Sequence, residues 1–149
     1  MSFLRFTVPF VLLAAFSGNS YSQVTRISEQ VRENFSRQYP DAQNVKWYND
    51  VIKVNVQFEL GDDRMDAQYS NKGIWKNTLK ETSFDNLPED VIDGFRKSKY
   101  ADRNVTDVRI LYLPGDIIQY RLKVEKNNLQ KKYLFYNAHG RLVRDTNTL

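Results

Sequence analysis

The stretch "VIKVNVQFEL", residues 51–60, alternates apolar and polar side chains almost without a break. Ile52, Val54, Val56, Phe58 and Leu60 fall on one side, and Lys53, Asn55, Gln57 and Glu59 on the other. A period of two turns successive side chains to opposite faces of a strand, so this segment predicts a strand with one buried and one wet face. Downstream, "GDD" (61–63) has the composition of a hairpin turn. "RMDAQYS" then alternates again, with Met65, Ala67 and Tyr69 on one side. "NKG" (71–73) supplies a second turn, and "IWKNTLKET" resumes extended chain.

Upstream the period changes. Val24, Ile27, Val31, Phe35 and Tyr39 recur every three or four positions among Arg, Glu, Gln and Asn, the stripe of an amphipathic helix over 24–39. Pro40 ends it, because the residue before a proline is driven out of the α region. Asp41 and Ala42 carry the chain round to Val45. Val45 and Trp47 share a face of the strand that follows, and either Trp47 or Tyr48 can be its buried aromatic.

The second half runs the same programme. "NLPEDVIDGFRKSKY" sets Pro88 at a helix start and Glu89 and Asp90 in its first turn, where the helix dipole favours acids. Val91, Ile92 and Phe95 form its stripe. "VTDVRILYL", "IIQYRLKV", "QKKYLFY" and "RLVRD" read as strands, and "YLFYNAHGRL" answers "AQYSNKGIW" in the first half. That match pairs Tyr136 with Tyr69, Gly140 with Gly73 and Leu142 with Trp75. It therefore assigns Trp75 and Leu134 to the core. The expected fold class is α+β: a tandem repeat, about 24–82 and 84–146, of a helix followed by a four-stranded antiparallel sheet. One continuous or closely abutted sheet is favoured, with helices on one face and the other face open. That open face would carry Lys53, Asn55, Gln57, Glu59, Gln119, Arg121, Lys123, Tyr133 and Phe135.

The residues Tyr39-Pro40-Asp41-Ala42, Val45-Lys46-Trp47, Gly73-Ile74-Trp75 and Leu87-Pro88 resemble the exported bacterial PepSY-like domains grouped with the β-lactamase inhibitor protein fold. The resemblance spans nearly all of the chain after its leader. It implies the same helix-plus-four-strand repeat and a periplasmic or secreted setting. It implies no chemistry, since most such relatives have no assigned activity and a fold does not specify one.

The first 22 residues differ in kind. "MSFLR" is basic, "FTVPFVLLAAF" is apolar but too short to span a bilayer, and Ser20 and Ser22 flank Tyr21. This is the layout of a secretory signal peptide cleaved between Ser22 and Gln23, leaving 23–149 as a single domain with no stable membrane anchor. After cleavage, 21 basic and 18 acidic side chains remain, a net charge of +3 with no dense basic stripe, and nucleic acid is not an expected partner. The chain has no cysteine, which excludes disulfides, thiol catalysis and thiolate zinc sites. Its 41% hydrophobic residues are enough for a core without such staples.

Catalytic and cofactor groups are not in evidence. The single histidine, His139, lies in "YNAHGRL", whose Asn137 and Gly140 mark a turn. Glu59, Asp62, Asp63 and Asp66 cluster in "ELGDDRMD" without the spacing of a calcium loop. There is no phosphate loop and no nucleophile elbow. The reading is a non-enzymatic exported binding module with no cofactor and no metal. It would engage a protein or extended peptide, in one version as an inhibitor does, through an open-face patch of Lys53, Gln57, Arg121, Lys123, Tyr133 and Phe135. The alternative is an envelope structural or stress protein that binds cell-surface polymer or metal ions by charge. Oligomeric state is not legible.

Overall fold

The computed structural model describes residues 26–126 and 130–148. The expected signal peptide, its cleavage point and Val24 lie outside these residues.

Helix α1 spans Glu29–Gln38. Ser28 caps it by accepting from the Val31 amide, satisfying one of the donors a helix start leaves free. Strands β1 (Gln43–Asn49), β2 (Lys53–Leu60), β3 (Asp63–Ser70) and β4 (Trp75–Thr82) follow, joined by tight turns. A single 3₁₀ turn at Phe84–Asn86 leads into α2 (Glu89–Arg96), which Pro88 opens. Strands β5 (Asn104–Leu113), β6 (Ile117–Glu125), β7 (Lys131–Asn137) and β8 (Leu142–Asn147) complete the chain.

All eight strands form one antiparallel sheet in the order β1-β2-β3-β4-β5-β6-β7-β8. The expected tandem repeat of a helix with its own four-stranded sheet is corrected here. Thr78–Thr82 of β4 pair with Val108–Tyr112 of β5, so a single eight-stranded sheet carries two helices. The reason is physical. Alternation and helical period are local signals, and they read the same whether a run of hairpins stops at four strands or continues. The β4–β5 ladder joins segments separated by α2, and nothing local encodes that pairing.

Two apolar clusters lie under the helices. Val31 and Phe35 of α1 pack on Val54, Val56, Phe58, Ala67 and Tyr69. Val91 and Phe95 of α2 pack on Val108, Leu122, Val124, Leu134 and Tyr136. Strand register places both clusters on the same face: Val56 stands opposite Ala67, Ala67 opposite Thr78, Thr78 opposite Tyr112, and Val108, two alternations on, opposite Leu122. Phe35 is the hub of the first cluster. Phe58 and Trp47 meet it edge-on at 5.0 and 5.1 Å between centroids. Trp47 is therefore the inward aromatic of β1, and Tyr48 is exposed. Trp75 is partly buried against the same cluster, with its indole N–H donated to Thr78 Oγ1 at 2.9 Å.

Each helix also rests on a turn of the sheet. Gly94 of α2 lies against Gly140 of the β7–β8 turn so closely that a Cβ on Gly94 would fall 2.0 Å from the Gly140 carbonyl oxygen. A Cβ on Gly140 would fall 1.9 Å from the Asp90 carbonyl oxygen, and Gly140 has φ +70°. In the first half, Gly73 meets Gln30 and Asn34 of α1, and Asn34 Nδ2 donates to its carbonyl at 3.0 Å.

Candidate binding face

The sheet face turned away from the helices is built by alternation. The residues opposite those in the two cores form a continuous polar surface with an apolar seam at its middle. Leu79 of β4 stands opposite Leu111 of β5, and Leu111 is only 7% exposed. Arg109, two residues from Leu111 in β5, stands on the same face, opposite Glu81 of β4 and Arg121 of β6.

The central feature is an ion network. Asp107 accepts from Arg109 Nε at 3.2 Å and from Arg121 at 3.0 Å. Arg109 also reaches Glu81 at 3.4 Å. Glu125 lies 3.7 Å from Lys123 and 3.5 Å from Lys131. Two arginines lie over aromatic rings: Arg121 over Tyr133 at 4.6 Å and Arg144 over Phe135 at 4.0 Å. Such stacking holds the guanidinium flat and contributes on the order of 1 kcal/mol at partly exposed sites.

Toward β1 the face changes character. A groove of about 340 Å³ is lined by Lys46, Gln57, Glu59, Arg64, Asp66, Glu81 and Arg109. Burial raises the carboxyl pKa of Asp66, and the positive charges of Arg109 and Arg121 and a hydrogen bond from Gln57 only partly offset it. Beside the groove, side-chain amides form a ladder across three strands. Gln68 donates to Asn55 at 3.0 Å, and Asn77 donates to Gln68 at 3.5 Å.

Of the six residues expected to form one patch, four come together. Arg121 stands opposite Phe135, and Lys123 opposite Tyr133, on adjacent strands. Lys53 and Gln57 lie on β2, four strands away, about 19 Å at the usual strand spacing. The six were expected to be exposed. Gln57 is, whereas Lys53, Arg121, Lys123 and Tyr133 are half-buried. Phe135 is a correction, being buried at 7% exposure. Its register is as the alternation gave it, with Leu134 and Tyr136 facing the helices, but the Arg144 guanidinium covers its ring. Sequence reasoning missed Arg109, Asp107 and Arg144. Applying the same alternation to β5, and the β7–β8 register to "RLVRD", identifies all three.

Other candidate groups resolve locally. Asn137 Oδ1 accepts from the backbone N–H of His139, inside the turn the composition indicated. In the acidic cluster, Asp63 pairs with Lys80, and Glu59 accepts from Asn44 at 2.6 Å. Among the described residues, no three metal-ligating side chains come together. No helix among them is long and apolar enough to cross a membrane.

No protein-family model matches the chain, and no curated protein matches it. Solved structures do. A DUF2874 family protein from Bacteroides ovatus ATCC 8483 superposes with a TM-score of 0.74 at 27% identity, over 82% of this chain and 88% of that one. A protein from Bacteroides eggerthii DSM 20697, provisionally described as periplasmic, gives a TM-score of 0.72 at 19% identity over 82% and 89%. A BLIP-like protein from Bacteroides fragilis NCTC 9343 gives 0.73 at 23% identity, over 83% of this chain and 87% of that one. The single helix-backed antiparallel sheet described above is thus a BLIP-like fold.

Proposed function

We propose that this chain is an exported, non-enzymatic binding module that engages a protein or an extended peptide through the sheet face its helices leave open. The observation that carries this reading is the patch on β6–β8, where Arg121 and Lys123 stand opposite Phe135 and Tyr133 and Arg144 closes over Phe135. Arginine and aromatic side chains are the residue types that dominate protein interfaces. Here they are held in place before any partner arrives, which lowers the ordering cost of binding. The setting is the periplasm or the outside of the cell, after removal of residues 1–22. The BLIP-like fold and a neighbour described as periplasmic support that setting. The PepSY-like kinship rests on the Tyr39-Pro40-Asp41-Ala42 and Gly73-Ile74-Trp75 motifs.

The test is capture from periplasmic extract by the exported protein and by two variants. Lys123→Glu with Tyr133→Ala alters the patch. Lys97→Glu alters an exposed position just after α2, at its C-terminal cap. A partner retained by the wild type and Lys97→Glu but lost by the patch variant supports the reading. Equal retention by all three sinks it. Loss of the same partner on raising the salt, with no effect of Tyr133→Ala alone, favours polymer-like binding by charge. Intact mass of the exported protein is expected to begin at Gln23; a chain that keeps Met1 and stays with the membrane pellet refutes the export step.

A further inference from the structure

The sheet ends at β8, and the main chain along that end is left ready to pair. Thr148 donates its amide to the Lys131 carbonyl at 3.1 Å. Antiparallel pairs alternate, so Tyr133–Thr146 and Phe135–Arg144 are the hydrogen-bonded ones between β7 and β8. Asp145 and Asn147 therefore turn their backbone N–H and C=O groups outward, and among the described residues no ninth strand pairs with them. The other end of the sheet differs. In β1 the register shifts between Gln43 and Lys46, and Asn44 has φ +52°, which breaks the outer ladder. The irregularity of β8 falls at Val143, so the run from Arg144 to Asn147 stays regular. A bare edge is ordinarily guarded by a charge reaching across it. Here the Arg144 guanidinium is drawn back over Phe135 at 4.0 Å, onto the open face.

Charge collects at the same end. Residues 117–147 hold seven basic and two acidic side chains, whereas residues 23–116 hold fourteen and sixteen. Asp145, the one acid of β8, is tied to Lys132 at 2.9 Å, and Glu125 is shared by Lys123 and Lys131. Among the described residues Arg141 and Arg144 have no carboxylate partner. We propose that β8 takes up an acidic extended segment of a partner protein as a ninth strand. This rests on the open-face reading and gives its partner a binding mode and a chemistry. The unpaired ladder asks for a polypeptide backbone, and the basic side chains around it ask for acids. An acidic side chain opposite Arg144 would lie on the open face, beside the Phe135 ring. Two copies of this chain meeting here would bring two strongly basic surfaces together, which disfavours self-pairing.

The probe is a synthetic peptide of about eight residues, a usual strand length, alternating Glu with Thr. It is titrated into the exported protein beside two controls: the same peptide with Lys in place of Glu, and the same peptide N-methylated at every amide. The expected result is binding of the first alone, with a Kd below about 1 mM that rises with salt. Hydrogen exchange should show the Asp145 and Asn147 amides gaining protection. Asn147→Pro removes one outward donor, leaves the bonds to β7 in place, and should weaken binding about fivefold or more. Arg144→Glu should weaken it too; because that change also uncovers Phe135, Arg141→Glu in the exposed turn accompanies it, with thermal melts of each variant. Absence of binding overturns the proposal. So does equal binding of the N-methylated peptide, which would be attraction by charge alone. A dimer of the free protein that Asn147→Pro abolishes would give the edge to a second copy and overturns it as well. A partner from extract that is lost by Lys123→Glu with Tyr133→Ala, yet kept by Asn147→Pro, sinks the ninth strand and leaves the open-face reading standing.

Discussion

Phe135 of β7 and Asp66 of β3 show how one sheet face can hold opposite kinds of residue. Phe135 is on the side without helices, yet it is buried, because Arg144 spreads over its ring. Truncating it leaves a hole under that guanidinium. Phe135→Ala should therefore cost about 3 kcal/mol by urea denaturation, and Tyr133→Ala, half-buried on the neighbouring alternation, distinctly less. Equal costs would mean that Arg144 does not cover the ring in solution. Asp66 is strained in the other direction. Burial raises its carboxyl pKa, so the folded state holds the proton more tightly than the unfolded chain does. The stability this group contributes is fully present below its unfolded pKa, near 4, and is lost as pH rises through the raised folded value. Asp66→Asn should consequently raise the melting temperature at pH 7, and the gain should vanish as the pH falls below the ordinary carboxylate range. A gain that persists at pH 3 would assign the effect to something other than ionisation.

At the scale of elements, the pairing of a helix with a hairpin turn recurs with different tolerances. Gly140 carries both a left-handed backbone and a carbonyl oxygen of α2 where a Cβ would stand. Gly140→Ala should cost about 3 kcal/mol, from overpacking against a backbone that cannot yield and from strain at positive φ. Gly61→Ala, at φ +61° with open space around it, isolates the strain contribution alone and should cost less. Equal losses would mean that the helix–turn contact is loose. Much of this level was legible in the sequence. Val54 to Leu60 alternate so strictly that β2 and its faces follow directly, and Pro88 with Glu89 and Asp90 marks the start of α2. Ile52, which the same alternation put on the buried side, precedes β2 and is 77% exposed, because the bend before the strand takes it out of the sheet. Trp47 and Tyr48 could not be separated, because adjacent aromatics satisfy either phase. Phe35 decides it by packing edge-on against Trp47. The 3₁₀ turn at Phe84–Asn86 was invisible, being too short to have a period. The patch was half legible: alternation found Arg121, Lys123, Tyr133 and Phe135, but could not say that β2 lies four strands away from them.

For the whole molecule, the decisive contact is the ladder from Thr78–Thr82 to Val108–Tyr112. It couples the two apolar clusters through one backbone sheet. Phe35→Ala should cost about 3–5 kcal/mol and lower a single transition seen alike by far-UV and aromatic signals. A second, unshifted transition belonging to residues around Phe95 would show two independent units. The same nearest-neighbour strand order has a kinetic meaning. Each strand pairs with the one made just before it, and the widest gap to close is Ser83–Arg103, itself shortened by a helix. A chain emerging N-terminus first can thus zip hairpin upon hairpin without waiting for its far end, and low sequence separation between partners favours rapid folding. Until β5 arrives, the only interruption is a bare β4 edge. The moment of greatest exposure to aggregation during synthesis or translocation is therefore the interval in which α2 is being delivered.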